Sequence, residues 1–172
     1  KYATAQQSLK KLLRDPNTDA DYEKLFTARV YQSLAECADE KENTRERDEW
    51  LYKLYTLYPQ LVPFSGMKAN MVLSVRGTVD KEVEKRLRAC NINWVAPGTV
   101  PAAEAVVTFA GTGKKKSITY SVRDRDGRYI VEQQSFAWQK AEDAGKELAY
   151  RLFNIGGKEP EETDEDAPEK KK

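Results

Sequence analysis

Apolar positions along this chain keep two rhythms, and the change between them falls near Gly66. Before it, apolar side chains recur at helical spacing. Tyr2, Ala5, Leu9, Leu12 and Leu13 fall on one helical face, and Asp15-Pro16-Asn17 predicts the stop of that helix. Asp19 or Asp21 is the expected cap of a second helix, whose stripe is Tyr22, Leu25, Phe26, Val30, Leu34 and Cys37. Another side of it carries Ala28, Tyr31, Ala35 and Ala38, small enough to let neighbours approach on two faces. Asn43, followed by Glu46, has the look of a capping box that opens a third helix. Its apolar face is Trp50, Leu51, Leu54, Tyr55 and Tyr58, and Pro59 ends it.

After an apolar, ordered connector over Leu61–Gly66, short alternating runs take over. They predict a strand (Asn70–Arg76), a helix (Asp80–Cys90, with Val83, Leu87 and Cys90 inward) and a strand (Ala103–Ala110). Next come a strand (Ser117–Arg123), a turn, a strand (Arg128–Phe136) and a final helix (Gln139–Phe153). Asp126-Gly127 between two alternating runs is a strong hairpin signal. Ala141, Gly145, Leu148, Ala149 and Leu152 form the inward stripe of the last helix, and Gly156-Gly157 ends it. The expected fold class is α+β: a three-helix segment over residues 1–60, then a β-α-β-β-β-α domain over residues 67–157. Its sheet is expected to be four-stranded and mostly antiparallel, with two helices on one face. Residues 158–172 are acidic, contain proline and lack aromatics, a composition that predicts a disordered tail.

Composition narrows the function classes. The net charge of +1 hides an asymmetry, since residues 158–172 carry four lysines and seven acids and the rest carries +4. A nucleic-acid-binding domain has a heavier basic excess, so nucleic acid is not the favoured partner. No apolar run reaches the roughly 18–20 residues that a membrane span needs. The chain opens on Lys1 rather than methionine, which raises the expectation of a removed beginning that held a signal or lipid anchor, the one expected route to a membrane. Cys37 and Cys90 read either as small apolar helix residues or, in an exported protein, as a pair.

There is no histidine, so the commonest general base and metal ligand is missing. Asp80, Glu82 and Glu84 open a helix, where acids suit the dipole, and Asp124 and Asp126 belong to a turn. Neither cysteine has an activating neighbour in sequence, and no zinc- or calcium-type spacing occurs. The expectation is a protein that is not an enzyme, with no cofactor and no metal. Gly111-Thr112-Gly113-Lys114-Lys115-Lys116-Ser117 resembles a phosphate loop but has Thr108 where that motif needs glycine, and a strand follows instead of a helix. Lys114, Lys115 and Lys116 remain candidates for contact with a phosphate or an acidic partner. Tyr52, Tyr55 and Trp138 are the candidate anchors for a protein partner, because exposed aromatics beside a helical groove bury much area at little entropy cost.

Leu9-Lys10-Lys11-Leu12 before Asp15-Pro16 has a counterpart in Tyr52-Lys53-Leu54-Tyr55 before Tyr58-Pro59, 43 residues on. The helical half resembles tetratricopeptide-type repeats, which implies a peptide- or protein-binding groove. Asn91-Ile92-Asn93-Trp94-Val95, Ala103–Thr108 and Ser121–Ile130 resemble the small α/β domains of bacterial envelope lipoproteins, the CsgG type and the LpoB-like activators of peptidoglycan synthases. That resemblance implies protein binding in the periplasm or cell envelope without catalysis. An alternative lies in Ala144-Gly145, Leu148-Ala149 and Leu152, which resemble the final helix of double-stranded-RNA-binding domains. The reading favoured is an exported, envelope-associated lipoprotein domain acting as scaffold or regulator, with a protein partner.

Overall fold

A computed structural model describes residues 2–13, 21–112 and 116–155. The Asp15-Pro16-Asn17 break, Asp19, Lys114, Lys115, the Gly156-Gly157 helix end and the acidic tail lie outside them. The helical half comprises α1 (Tyr2–Leu12), α2 (Asp21–Asp39) and α3 (Thr44–Leu57). Asn43 caps α3 reciprocally: its Oδ1 accepts from the Glu46 backbone N–H at 3.3 Å, and its Nδ2 donates to Glu46 Oε2 at 3.1 Å. The apolar connector is a 3₁₀ helix over Pro59–Ser65, and Gly66 leaves it in the left-handed region at φ 72°.

The second half runs β1 (Ala69–Arg76), α4 (Lys81–Arg88), β2 (Ile92–Trp94), β3 (Ala103–Ala110), β4 (Lys116–Arg123), β5 (Tyr129–Trp138) and α5 (Ala141–Arg151). The α+β class is as expected. The sheet is not: it has five strands in the order β2-β1-β3-β4-β5, and it is mixed. β1 pairs parallel with both β2 and β3, while β3-β4-β5 form an antiparallel meander. The expected four strands leave out β2, whose three residues are too short to show an alternation of their own.

Period-two alternation sorts the sheet into two faces. The registers Met71↔Ala103, Leu73↔Ala105 and Val75↔Val107 extend through Tyr120 and Val122 to Val131, making one apolar inner face. Against it lie Val83 and Leu87 of α4 and Ala144 and Leu148 of α5, all buried. Gly145 lets these two helices cross closely, since a Cβ there would stand 2.5 Å from Arg86 Cβ. The other face carries Asn70, Ser74, Thr108, Thr119 and Ser135, with small polar hydrogen bonds such as Thr119–Ser135 at 2.7 Å.

One continuous set of buried residues runs from Ala28 and Leu51 through Val62 and Met71 to Leu148 and Phe153. Three polar ties reinforce it. The Tyr55 hydroxyl donates to the Leu152 carbonyl, Asn70 Nδ2 donates to Asp48 Oδ2 at 3.1 Å, and the Arg125 backbone N–H donates to the Tyr52 hydroxyl at 2.9 Å.

Candidate functional site

Two of the three candidate anchors lie inside the protein. Tyr55 is 1% exposed, with its ring edge-on to Phe153 at 5.9 Å between centroids. Burial, with the Cys90 thiol as a smaller cause, raises its phenol far above the ordinary tyrosine range, so it stays neutral. Tyr52 is buried beneath the β4–β5 turn, where the Arg125 guanidinium lies 5.4 Å from its ring centroid. Neither ring has a face free for a partner, because the contacts between α3 and the sheet end use both. Trp138 is half-buried at the far end of the inner face, opposite Lys116 in the β4–β5 ladder. Lys116 Nζ sits 4.4 Å above its ring, a cation–π contact that brings together two residues singled out for different reasons. Lys114 and Lys115 are outside the described residues.

The open apolar surface lies elsewhere, where β2 stops short. Pairing of β2 with β1 covers Ala69–Met71, and the last bond is from the Val95 N–H to the Met71 carbonyl at 3.0 Å. The chain then leaves through Val95–Ala102 to reach β3 on the other side of β1. Backbone polar groups alternate sides along a strand, so Leu73 and Val75 point the way Met71 does, away from β3. Among the described residues no strand lies alongside β1 there, and the N–H and C=O of both residues are unpaired. This is an exposed edge about four residues long on β1, a strand otherwise paired on both sides, in addition to the outer edges of β2 and β5 at the two ends of the sheet.

A groove of about 370 Å³ runs beside that edge on the inner face, lined by Leu73, Val75, Val79, Leu87, Trp94 and Phe109. Trp94 is held as its end wall by an Nε1–H bond to the Leu87 carbonyl at 3.0 Å. Val75 is 38% exposed, unusual for a valine on the core-facing side of a sheet. A second cavity shares Val79 and Phe109 with the groove and extends it past Gly77 and Lys116 to Trp138. The acids nearby already have partners: Glu84 Oε1 accepts from Arg88 Nη2 at 2.7 Å, and Asp80 Oδ1 accepts the Glu82 N–H at 3.0 Å to cap α4. Arg76, exposed at the end of the open edge, makes no ion pair among the described residues.

The rest of the chemistry is quiet. Cys37 and Cys90 are both free thiols. Burial pushes the Cys90 thiol up to about 11, the opposite of an activated nucleophile. No group of three or more Cys, Asp or Glu side chains among the described residues could hold a metal ion. None of the described helices is long and apolar enough to cross a membrane. Sequence reasoning missed the groove because its lining comes from β1, the β1–α4 connection, α4, β2 and β3. No local pattern marks it, since β2 itself is too short to show an alternation.

No known protein family matches the chain, and no curated protein matches it either. Among solved structures it is similar to a minor lipoprotein from Acinetobacter baumannii, at 14% identity and a TM-score of 0.34. The match covers 49% of this chain and 90% of that one.

Proposed function

We propose that this protein is a non-enzymatic protein-interaction module that offers the groove beside β1 to a protein partner. The observation that supports the reading is the coincidence of exposed apolar lining, Val75 at 38% among it, with unpaired strand backbone at Leu73 and Val75. A folded chain seldom leaves both open in one place unless something covers them. The groove's ionisable groups favour binding over catalysis, since Glu84, Arg88 and Asp80 are engaged with one another or with α4. The helical half, tetratricopeptide-like in its Leu9–Leu12 and Tyr52–Tyr55 repeats, acts as a scaffold behind the sheet. The likeness of Asn91–Val95, Ala103–Thr108 and Ser121–Ile130 to envelope lipoprotein domains supports a location in the periplasm or cell envelope.

The test is photocrosslinking in the protein's own cells. A benzophenone side chain replaces Val79 in the groove or, as control, the exposed Tyr129 on the opposite edge strand. A protein adduct from position 79 that position 129 does not give supports the reading. Identical adducts from both positions, or none from position 79, sink it. Fractionation of the same cells checks the location: recovery with the periplasmic or envelope fraction is expected, and a wholly cytosolic protein refutes an envelope role.

A further inference from the structure

We infer that the partner binds as an extended segment that completes the missing part of β2, pairing with β1 at Leu73 and Val75. This rests on the groove being a protein-binding site and adds how the site is read. Four backbone groups, the N–H and C=O of Leu73 and of Val75, lie in line beyond the last β2–β1 bond at Met71. An array of alternating donors and acceptors at strand spacing is matched by extended backbone. A helix has its own N–H and C=O groups already paired along its axis and cannot match it. About four residues of partner cover the edge from Leu73 to Arg76, a length of about 13 Å.

The side chains of that segment follow from the pleat. Alternate residues point to the inner face, into the groove formed by Val79, Leu87, Trp94 and Phe109, and must be apolar. The residues between them lie on the outer face beside Ser74 and Arg76. Ser74 is already bonded to Glu104 at 2.7 Å, whereas Arg76 is without an ion pair among the described residues, so an acidic residue fits beside it. The occupant is thus an extended protein segment with bulky apolar residues at every second position and an acid at the Arg76 end. α4 walls the other side of the groove, with the Glu84–Arg88 pair at its rim.

The experiment selects random dodecapeptides displayed on phage against the full chain, then follows amide hydrogen exchange residue by residue with the best synthetic peptide. Selected peptides are expected to alternate apolar residues, and their binding should slow exchange at Leu73 and Val75 by about tenfold or more. The amides of Val72 and Ser74, which face β3, should change little. Val75→Pro removes one edge donor without touching the β3 ladder and should weaken binding about three- to tenfold. Val79→Lys puts a charge in the groove and should weaken it about tenfold or more. If Val75→Pro does not fold, the exchange measurement on the unaltered chain decides.

A peptide sensitive to Val79→Lys that leaves the Leu73 and Val75 amides exchanging as before would overturn strand completion while keeping the groove. Binding indifferent to Val79→Lys, or a library that yields no binder, would remove the groove as well. Protection of the same two amides that grows with protein concentration in the absence of peptide would assign the edge to a second copy and overturn the inference.

Discussion

Replacing Tyr55 with phenylalanine removes one oxygen from the most buried tie between the helical half and α5. The ring stays edge-on to Phe153, so packing is kept and the loss isolates the hydroxyl. That hydroxyl is the partner of the carbonyl of Leu152, a fully buried residue whose oxygen accepts no other bond among the described residues. An intramolecular hydrogen bond contributes about 1 kcal/mol net, and a buried carbonyl left unpaired costs about 1–3 kcal/mol. Tyr55→Phe should therefore destabilise the fold by about 1–2 kcal/mol, a fall of about 2–8 °C in Tm for a chain of this size.

Urea unfolding followed by tryptophan fluorescence and circular dichroism measures the loss, with an unchanged slope as the sign that only stability has moved. Alkaline pH supplies a second reading. Burial raises the folded-state pKa of Tyr55 above its unfolded value, so its contribution is complete below the unfolded pKa of about 10. It is lost as the pH climbs above that, by up to about 1.4 kcal/mol per pH unit, because the unfolded chain ionises first. Tyr55→Phe should flatten that part of the alkaline slope. If the variant melts within about 0.3 kcal/mol of the parent and keeps the full slope, the inter-half hydrogen bond does not hold the two halves together and the reasoning is refuted.

Two further perturbations probe the turns that frame the sheet. Asp124→Ala deletes the oxygen that accepts the N–H groups of Asp126 at 2.9 Å and Arg128 at 2.8 Å, and should cost about 1–2 kcal/mol in the same urea assay. Recovery of most of that loss by Asp124→Asn is expected, since the amide oxygen can accept both bonds; equal melts for alanine and asparagine would refute the turn. Gly77→Ala places a Cβ 2.2 Å from the Phe109 carbonyl oxygen at a φ of 87°, and should destabilise by about 2 kcal/mol or more. A midpoint shift under about 0.5 kcal/mol would mean that the end of β1 moves freely against β3.

Local patterning carried much of this fold. Helical stripes and strand alternation depend on residues three, four or two positions apart, so the sequence alone locates α2, α3, β1, β3, β4, β5 and α5 to within a few residues. Asn43 with Glu46, and Asp124 with Gly127, declare their cap and turn because the bonds they make close within a few residues. The absence of histidine is likewise a property of the sequence alone, and it narrows the chemistry before any contact is known.

Only the tertiary structure could decide what depends on distant neighbours. Which strands run parallel, and that Ile92–Trp94 is a strand at all, follow from pairing with β1 across α4 rather than from any periodicity. Tyr52 and Tyr55 read as surface or core with equal ease until the β4–β5 turn and the end of α5, 73 and 97 residues away along the chain, close over them. The open edge at Leu73 and Val75 is the plainest case. It exists because β2 ends a few residues too early to cover it, and burial and backbone pairing are settled by what else lies alongside.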